Sequence, residues 1–131
     1  MKPIVRLLLA FLFASGAMTG SAFAAEREAY SAALFAKAQA EGKPILIDIA
    51  ASWCPVCKVQ ASAIERDLSK PEFSEFVLFD VDFDTQKIVV RQFGASMQST
   101  LIVFKGKKET ARLIGITDPD VIEAMLRRAA N

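Results

Sequence analysis

The stretch PILIDIAASWCPVCK, residues 44–58, decides the fold class, because it joins a buried strand to the start of a helix. Its first seven residues are mostly apolar and include three isoleucines, which is typical of a buried strand. We expect a helix from Cys54 to about Leu68, since Pro55 then falls in the first turn, where a missing N–H does no harm. Cys54 and Cys57 are the only cysteines of the 131-residue chain, and both are predicted to lie at this helix N-terminus.

The rest of the sequence alternates helical and strand patterns around this unit. Residues 26–43 are alanine-rich, with apolar side chains at helical spacing, and they predict a helix that Gly42 and Pro44 end. The later patterns predict, in order, a strand at 76–83, a short helix at 85–94, a hairpin at 100–115 and a terminal helix at 118–130. This order predicts a three-layer α/β fold, with a central mixed sheet of about four strands flanked by helices.

The first 24 residues, MKPIVRLLLAFLFASGAMTGSAFA, have the pattern of a secretory signal peptide. Basic residues precede an apolar run at 7–14, and small residues lead to an Ala-Phe-Ala cleavage site that ends at Ala24. The alternative is an uncleaved membrane anchor, but the apolar run is shorter than the about 20 residues that a spanning helix needs. We therefore expect residues 1–24 to be a signal peptide and residues 25–131 to be one domain, exported to the bacterial periplasm.

The charge balance gives no basis for binding nucleic acid or an anionic membrane. The whole chain has 16 Lys and Arg against 15 Asp and Glu. Lys2 and Arg6 belong to the predicted signal peptide, so the remaining domain has 14 basic and 15 acidic residues, a net charge of −1. A nearly neutral domain has no strong field to attract a polyanion, and no nucleic-acid partner is predicted.

The two cysteines stand two residues apart, and this spacing favours a redox couple. A helix N-terminus carries partial positive charge and free N–H groups, which favour a thiolate and lower the pKa of Cys54. Cys54 is therefore predicted to be the nucleophile. Cys57 lies one turn further along the same helix face, from which it can attack a mixed disulfide at Cys54 and release the product.

Metal binding, a structural staple and accident are the alternative explanations of the cysteine pair. Structural zinc needs about four ligands, and the chain has no histidine and no third cysteine. Copper would need help from a methionine such as Met97. A disulfide that closes so short a loop restrains little of the unfolded chain. No metal site is therefore predicted.

From about residue 29 to residue 129 the chain resembles the thioredoxin family. The resemblance is carried by GKPILIDIAASWCPVCK, by VDFD, by RQFGASMQSTLIVFKGKKE and by the terminal helix, and the motif Trp-Cys-x-x-Cys-Lys after such a strand is specific. It implies reversible dithiol–disulfide exchange with protein thiols and disulfides, and no bound cofactor. It also implies that Cys54 is the attacking cysteine and Cys57 the resolving one.

The resemblance assigns roles to several side chains near the cysteines. Trp53 matches a tryptophan beside the active site, although an ordinary half-buried aromatic explains it equally well. Asp48 matches a buried acid beneath the resolving cysteine. Independently, an Asp among isoleucines is costly to bury, and burial raises its pKa, which suits a proton acceptor for the Cys57 thiol. The alternative is an edge-strand Asp that faces water. The predicted surroundings are completed by Pro55, Val56 and Lys58.

Three features of the sequence depart from the family pattern. Ser99 stands where the family usually has a cis-proline, within a predicted substrate-docking loop of Met97, Gln98, Ser99 and Thr100. We predict a trans peptide bond before Ser99, since a non-proline cis peptide costs about 3–4 kcal/mol. We also expect the Ser99 hydroxyl to be able to hydrogen-bond a cysteine sulfur. Asp80 stands where the family often has a lysine near the buried acid. The pair between the cysteines contains neither histidine nor glycine.

The direction of electron transfer depends on what stabilises the reduced cysteine pair. A strong disulfide-forming oxidant stabilises its thiolate heavily, commonly with a histidine in the motif, and this chain has no histidine. The sequence therefore favours a reductase or electron carrier over a disulfide-forming oxidase. Such a protein is expected to receive its electrons from a membrane redox partner. A non-catalytic binding module or chaperone is a further alternative. The domain is expected to be a monomer.

Overall fold

The computed structural model describes residues 24–130, which form a five-stranded sheet with helices packed on it. The predicted signal peptide, apart from Ala24, lies outside the described residues. The strands are β1 Glu26–Ala29, β2 Pro44–Ala50, β3 Val77–Asp82, β4 Thr100–Lys105 and β5 Lys108–Ile114. The helices are α1 Ala32–Ala40, α2 Pro55–Leu68, α3 Lys87–Gln92 and α4 Pro119–Ala130, with a short 3₁₀ turn at Pro71–Phe73.

The sheet is mixed, and its central strand is the isoleucine-rich β2. The strand order is β1-β3-β2-β4-β5. β1 and β2 run parallel to β3, whereas β4 runs antiparallel to both β2 and β5. Every residue of β2 except Ala50 is buried, which explains its almost continuous apolar sequence. The prediction of an α/β fold with a mixed sheet between helices is confirmed, and the sheet has a fifth strand.

The fifth strand, β1, lies within a segment for which the sequence predicts helix. Residues 26–29 pair in parallel with β3, and the helix begins only after the Ser31 N-cap. Glu and Ala are good helix formers, but the energy of this preference is small enough for pairing with an existing strand edge to override it. The charged residues of β1 suit a sheet edge, where they discourage pairing with another chain. The prediction of helix was therefore wrong at its first turn. It also gave no indication that Arg27 lies on a strand paired with β3.

Alternate residues of the strands face two separate cores. Leu46 of β2 and Leu78 of β3 pack with Ile64 of α2 and residues of α4. On the opposite face, the isoleucines of β2 pack with Phe79 and with residues of α1 and α3. Because side chains alternate along a strand, Asp48 shares the face of Leu46. This alternation directs the one acid of β2 toward the side of the sheet that α2 covers.

The helices begin and end at recognisable signals. Asp118 caps α4, since its carboxylate accepts a hydrogen bond from the backbone N–H of Asp120 at 2.9 Å. After α3 the chain turns at Gly94, whose φ of 64° is in the left-handed region that glycine adopts readily. None of the helices formed by residues 24–130 is long and apolar enough to cross a membrane.

Candidate active site

The two cysteines form a disulfide at the N-terminus of α2. Cys54 is the N-cap residue, and its Sγ accepts a hydrogen bond from the backbone N–H of Cys57 at 3.1 Å. Both cysteines are buried. Pro55 occupies the first helical position, where it removes no backbone hydrogen bond. In the reduced state the same N–H and the helix N-terminus would stabilise a thiolate on Cys54.

Asp48 lies on β2 and shares a cavity with Cys57. The cavity has a volume of about 390 Å³, and both side chains line it. Asp48 is only 4% exposed, and its Oδ1 has no hydrogen-bond partner among residues 24–130. The pKa of Asp48 is raised to about 6: burial is the largest cause, the neighbouring carboxylate of Asp80 adds to the rise, and Arg27 opposes it. An acid near this pKa can accept and return a proton at neutral pH.

Arg27 and Asp80 form an ion pair on the wall of the same cavity. The Nε and Nη2 groups of Arg27 each donate a hydrogen bond of 2.8 Å to one oxygen of the Asp80 carboxylate. Sequence reasoning identified Asp80 as a departure from the family pattern but missed Arg27. No local signal marks Arg27, since its approach depends on β1 pairing with a strand about 50 residues away.

The other residues predicted around the cysteines are mostly exposed. Trp53 is 59% exposed, more than the half-buried aromatic that the sequence allowed, and its Nε1 donates a hydrogen bond of 2.8 Å to Asp84. Val56 is partly buried and packs against the cysteines. Lys58 is exposed and lines the cavity. Trp53 therefore presents a large apolar surface directly beside Cys54.

The docking loop has the trans peptide bond that the sequence predicts, but not the predicted contact of the Ser99 hydroxyl. No peptide bond among residues 24–130 is cis, so the bond before Ser99 is trans. Ser99 has a φ of 55°, is 5% exposed, and its hydroxyl donates to the Gln98 carbonyl at 2.6 Å. The expectation that this hydroxyl bonds a sulfur was therefore wrong, because the hydroxyl donates its hydrogen bond to a backbone carbonyl instead. Gln60 of α2 donates to the Ser99 carbonyl at 3.2 Å and holds the loop against the helix.

The exposed part of this loop is Met97 rather than Ser99. Met97 is half exposed, and its carbonyl accepts a hydrogen bond of 2.8 Å from the buried Thr100 hydroxyl. Gln98 is partly buried. The loop thus offers a thioether side chain to a binding partner, and its serine and threonine serve the loop's own conformation.

The groups gathered at this site suit thiol–disulfide exchange. Residues 24–130 contain no group of three or more His, Cys, Asp or Glu side chains arranged to hold a metal ion. What the geometry does bring together is a disulfide, helix N–H groups at one sulfur and a buried acid near the other. These are the parts that thiol–disulfide exchange requires.

Comparison with known proteins gives one consistent family. The thioredoxin family model matches residues 25–128. The crystal structure of Trxlp from Edwardsiella tarda EIB202 superimposes with a TM-score of 0.75 at 42% identity, covering 77% of this chain and 98% of that one. Thioredoxin H4 from Arabidopsis thaliana is 35% identical over 85 residues, which is 65% of this chain and 71% of that protein.

A third relative joins two activities in one chain. The bifunctional thioredoxin reductase/thioredoxin of Mycobacterium leprae is 30% identical over 88 residues, which is 67% of this chain and 19% of that protein. The disulfide at the start of α2, the sheet around it and the match over residues 25–128 agree. The chain belongs to the thioredoxin family, and it is a protein-disulfide oxidoreductase with a redox-active Cys-Pro-Val-Cys pair.

Proposed function

We propose that the protein is an exported reductase of protein disulfides. The observation that carries the direction is the buried Asp48 on the cavity that Cys57 lines, with Asp80 beside it. Reducing the disulfide creates thiols that ionise, whereas the disulfide itself has no charge. Acidic groups near Cys57 therefore destabilise an anionic reduced pair, which makes that pair a better electron donor.

The proposed cycle moves two electrons from the cysteine pair to the substrate. The Cys54 thiolate attacks a substrate disulfide, forms a mixed disulfide and releases the first substrate thiolate. Asp48 then takes the proton of the Cys57 thiol, and the Cys57 thiolate attacks Cys54 Sγ. The Cys54–Cys57 disulfide forms, the second substrate thiolate leaves, and Asp48 returns its proton through the cavity. The substrate disulfide is reduced and the cysteine pair is oxidised.

The split of roles between the cysteines rests on their different surroundings. The Sγ of Cys54 accepts the N–H of Cys57, which favours its thiolate. Cys57 borders the cavity with Asp48, whereas Cys54 does not line it. The first sulfur is thus prepared for attack and the second for deprotonation. Trp53 and Met97, both exposed, would supply apolar contacts to the substrate chain.

Export rests on the N-terminal sequence, and it requires an electron source outside the cytoplasm. In an oxidising compartment a reductase must be reduced again after each cycle, and a membrane redox partner is the source that we propose. The M. leprae relative, which carries its thioredoxin reductase on the same chain, gives a precedent for a dedicated partner. Expression of the full chain in a bacterium tests export. We expect a periplasmic product that begins at Ala25, and a cytoplasmic product with residues 1–24 intact would contradict it.

Equilibration with glutathione buffers of known potential tests the direction. A reductase should have a reduction potential near that of cytosolic thioredoxins, about −270 mV. A strong oxidant should have a reduction potential of about −120 mV. We expect a value below about −230 mV. A value above about −180 mV would instead support a disulfide-forming oxidase.

Reduction of insulin by dithiothreitol separates a catalyst from a binding module. We expect the protein to accelerate precipitation of the insulin chains, and the Cys54→Ala variant to lose this effect. If the two proteins behave alike, the thioredoxin domain acts by binding and not by exchange.

A further inference from the structure

The acids Asp48 and Asp80 stand side by side on neighbouring strands. They are register partners in the parallel pairing of β2 with β3. Adjacent strands lie about 4.8 Å apart, and partner residues direct their side chains to the same face. Two carboxylates in this arrangement repel each other, so a negative Asp80 makes ionisation of Asp48 more difficult. The two acids differ in access, since Asp48 is 4% exposed and the Asp80 side chain 42%.

Arg27 approaches the same site from the opposite edge of β3. It pairs in register with Leu78, and its side chain reaches along the strand to the carboxylate of Asp80. Both oxygens of that carboxylate accept a hydrogen bond of 2.8 Å, so the guanidinium binds in the two-point geometry that fits arginine best. The positive charge of Arg27 therefore offsets Asp80 without contacting Asp48.

We propose that Arg27 and Asp80 are positioning residues of the exchange reaction: their ion pair sets the charge beside Asp48 and thereby the pH at which Asp48 accepts a proton from Cys57. The inference rests on the proposed role of Asp48 as the proton acceptor. The two charges of the pair affect the ionisation of Asp48 in opposite directions. Loss of Arg27 leaves an unneutralised carboxylate next to Asp48, whereas loss of the Asp80 charge removes the repulsion and leaves the arginine.

The other charged groups near this site stay constant when the pair is changed. Asp82 of β3 and Lys58 of α2 line the same cavity, and Glu65 of α2 acts on Arg27 at longer range. On the β4 side the register partner of Asp48 is Leu101, which carries no charge. Both variants keep these charges, so opposite shifts in the Asp48 titration midpoint cannot come from them.

Four proteins give an ordered set of expectations. Arg27→Gln should raise the titration midpoint of Asp48 by about 0.5–1 in pH, because Asp80 then acts unopposed. Asp80→Asn should lower it by a similar amount. The double variant should fall between these two and slightly below the wild type, since the carboxylate acts on Asp48 more strongly than the guanidinium does. Both side chains of the pair are about half exposed, which limits each shift and makes loss of folding unexpected.

The direct measurement is the pH titration of the Asp48 carboxyl carbon by NMR, in protein labelled with ¹³C-aspartate. The oxidised protein is used, so that no thiol titrates, and Asp48→Asn assigns the resonance. Arg112→Gln is the matched control, because Arg112 makes a similar two-point pair with Glu109 on β5. It should leave the midpoint unchanged. Arg27→Lys, which keeps the charge but not the two-point geometry, should restore part of the shift.

The proposal is supported if the Asp48 titration midpoint is higher in Arg27→Gln and lower in Asp80→Asn than in the wild type. Unmoved midpoints, or shifts of the same sign in both, overturn it. Stopped-flow fluorescence of Trp53, the only tryptophan, then follows the resolving step of the reduced proteins from pH 5 to 9. If the carboxyl titration shifts but the rate profile does not, the proton role of Asp48 is wrong while the influence of the ion pair on Asp48 stands.

Discussion

Two acids among residues 24–130 are buried, and their surroundings differ. Asp67 on α2 has no exposed surface, and it is held by Arg66 at 2.8 Å and Lys70 at 3.0 Å. Asp48 on β2 is almost as buried but contacts no cation directly. The nearest guanidinium, that of Arg27, is bound to a different carboxylate. Asp67 is thus held by two cations, whereas Asp48 has none in direct contact and lies on the cavity that Cys57 lines.

The largest expected difference between the two acids is kinetic. Asp48→Asn keeps the shape of the side chain but removes the proposed proton acceptor, so the resolving step at pH 7 should slow by about 10²-fold or more. Asp67→Asn is the matched control and should resolve at the wild-type rate. Single-turnover reduction of a model disulfide measures both. Equal rates for Asp48→Asn and wild type across pH 5–9 would remove Asp48 from the mechanism.

The second expected difference concerns stability and pH. The pKa of Asp48 rises from 3.8 in the unfolded chain to about 6 in the fold, so between these values the folded state holds a proton that the unfolded state has released. The free energy of unfolding therefore falls as pH rises through this window. Above pH 7 Asp48→Asn should be more stable than wild type by about 2–3 kcal/mol, and at pH 4 the difference should be below about 1 kcal/mol.

Urea unfolding at a series of pH values between 4 and 8 measures this difference. The stability gained by Asp48→Asn should grow with pH and level off above pH 7. A difference that is constant over the range would mean that Asp48 has an ordinary pKa in the fold. The same series on Asp67→Asn provides the contrast.

The smallest expected effect is that of Asp67→Asn on stability. The substitution replaces hydrogen bonds between two charged groups by weaker ones in which only Arg66 is charged, and the free energy of unfolding at pH 7 should fall by about 1–2 kcal/mol. The sign is thus opposite to that of Asp48→Asn. If both variants gain stability, Asp67 is not held by its cations in the way that its contacts indicate.

Local signals in the sequence were enough to predict the parts of the site that lie in the β2–α2 unit. The apolar run of β2, the proline after Cys54 and a lone acid among isoleucines act over a few residues, so they predict the helix N-terminus and a buried Asp48 without knowledge of the rest of the chain. The order of most helices and strands follows from the same kind of pattern.

The missing parts depend on contacts between distant segments. Residues 26–29 become a strand only because β3 offers them an edge, and Arg27 reaches Asp80 only through that pairing. The conformation of Ser99 is likewise set by Gln60 and Gly115, which both donate to its carbonyl. Neither contact has a sequence signal, because each joins residues that are far apart in the chain.

In the proposed cycle Cys54 attacks the substrate and Cys57, with Asp48, resolves the mixed disulfide. Trapping of mixed disulfides tests it most directly, with non-reducing gel electrophoresis and mass spectrometry after incubation with a disulfide-bonded protein. We expect a stable adduct through Cys54 in Cys57→Ala, none in Cys54→Ala, and a transient adduct in Asp48→Asn. A stable adduct through Cys57 in Cys54→Ala, with none in Cys57→Ala, would contradict it.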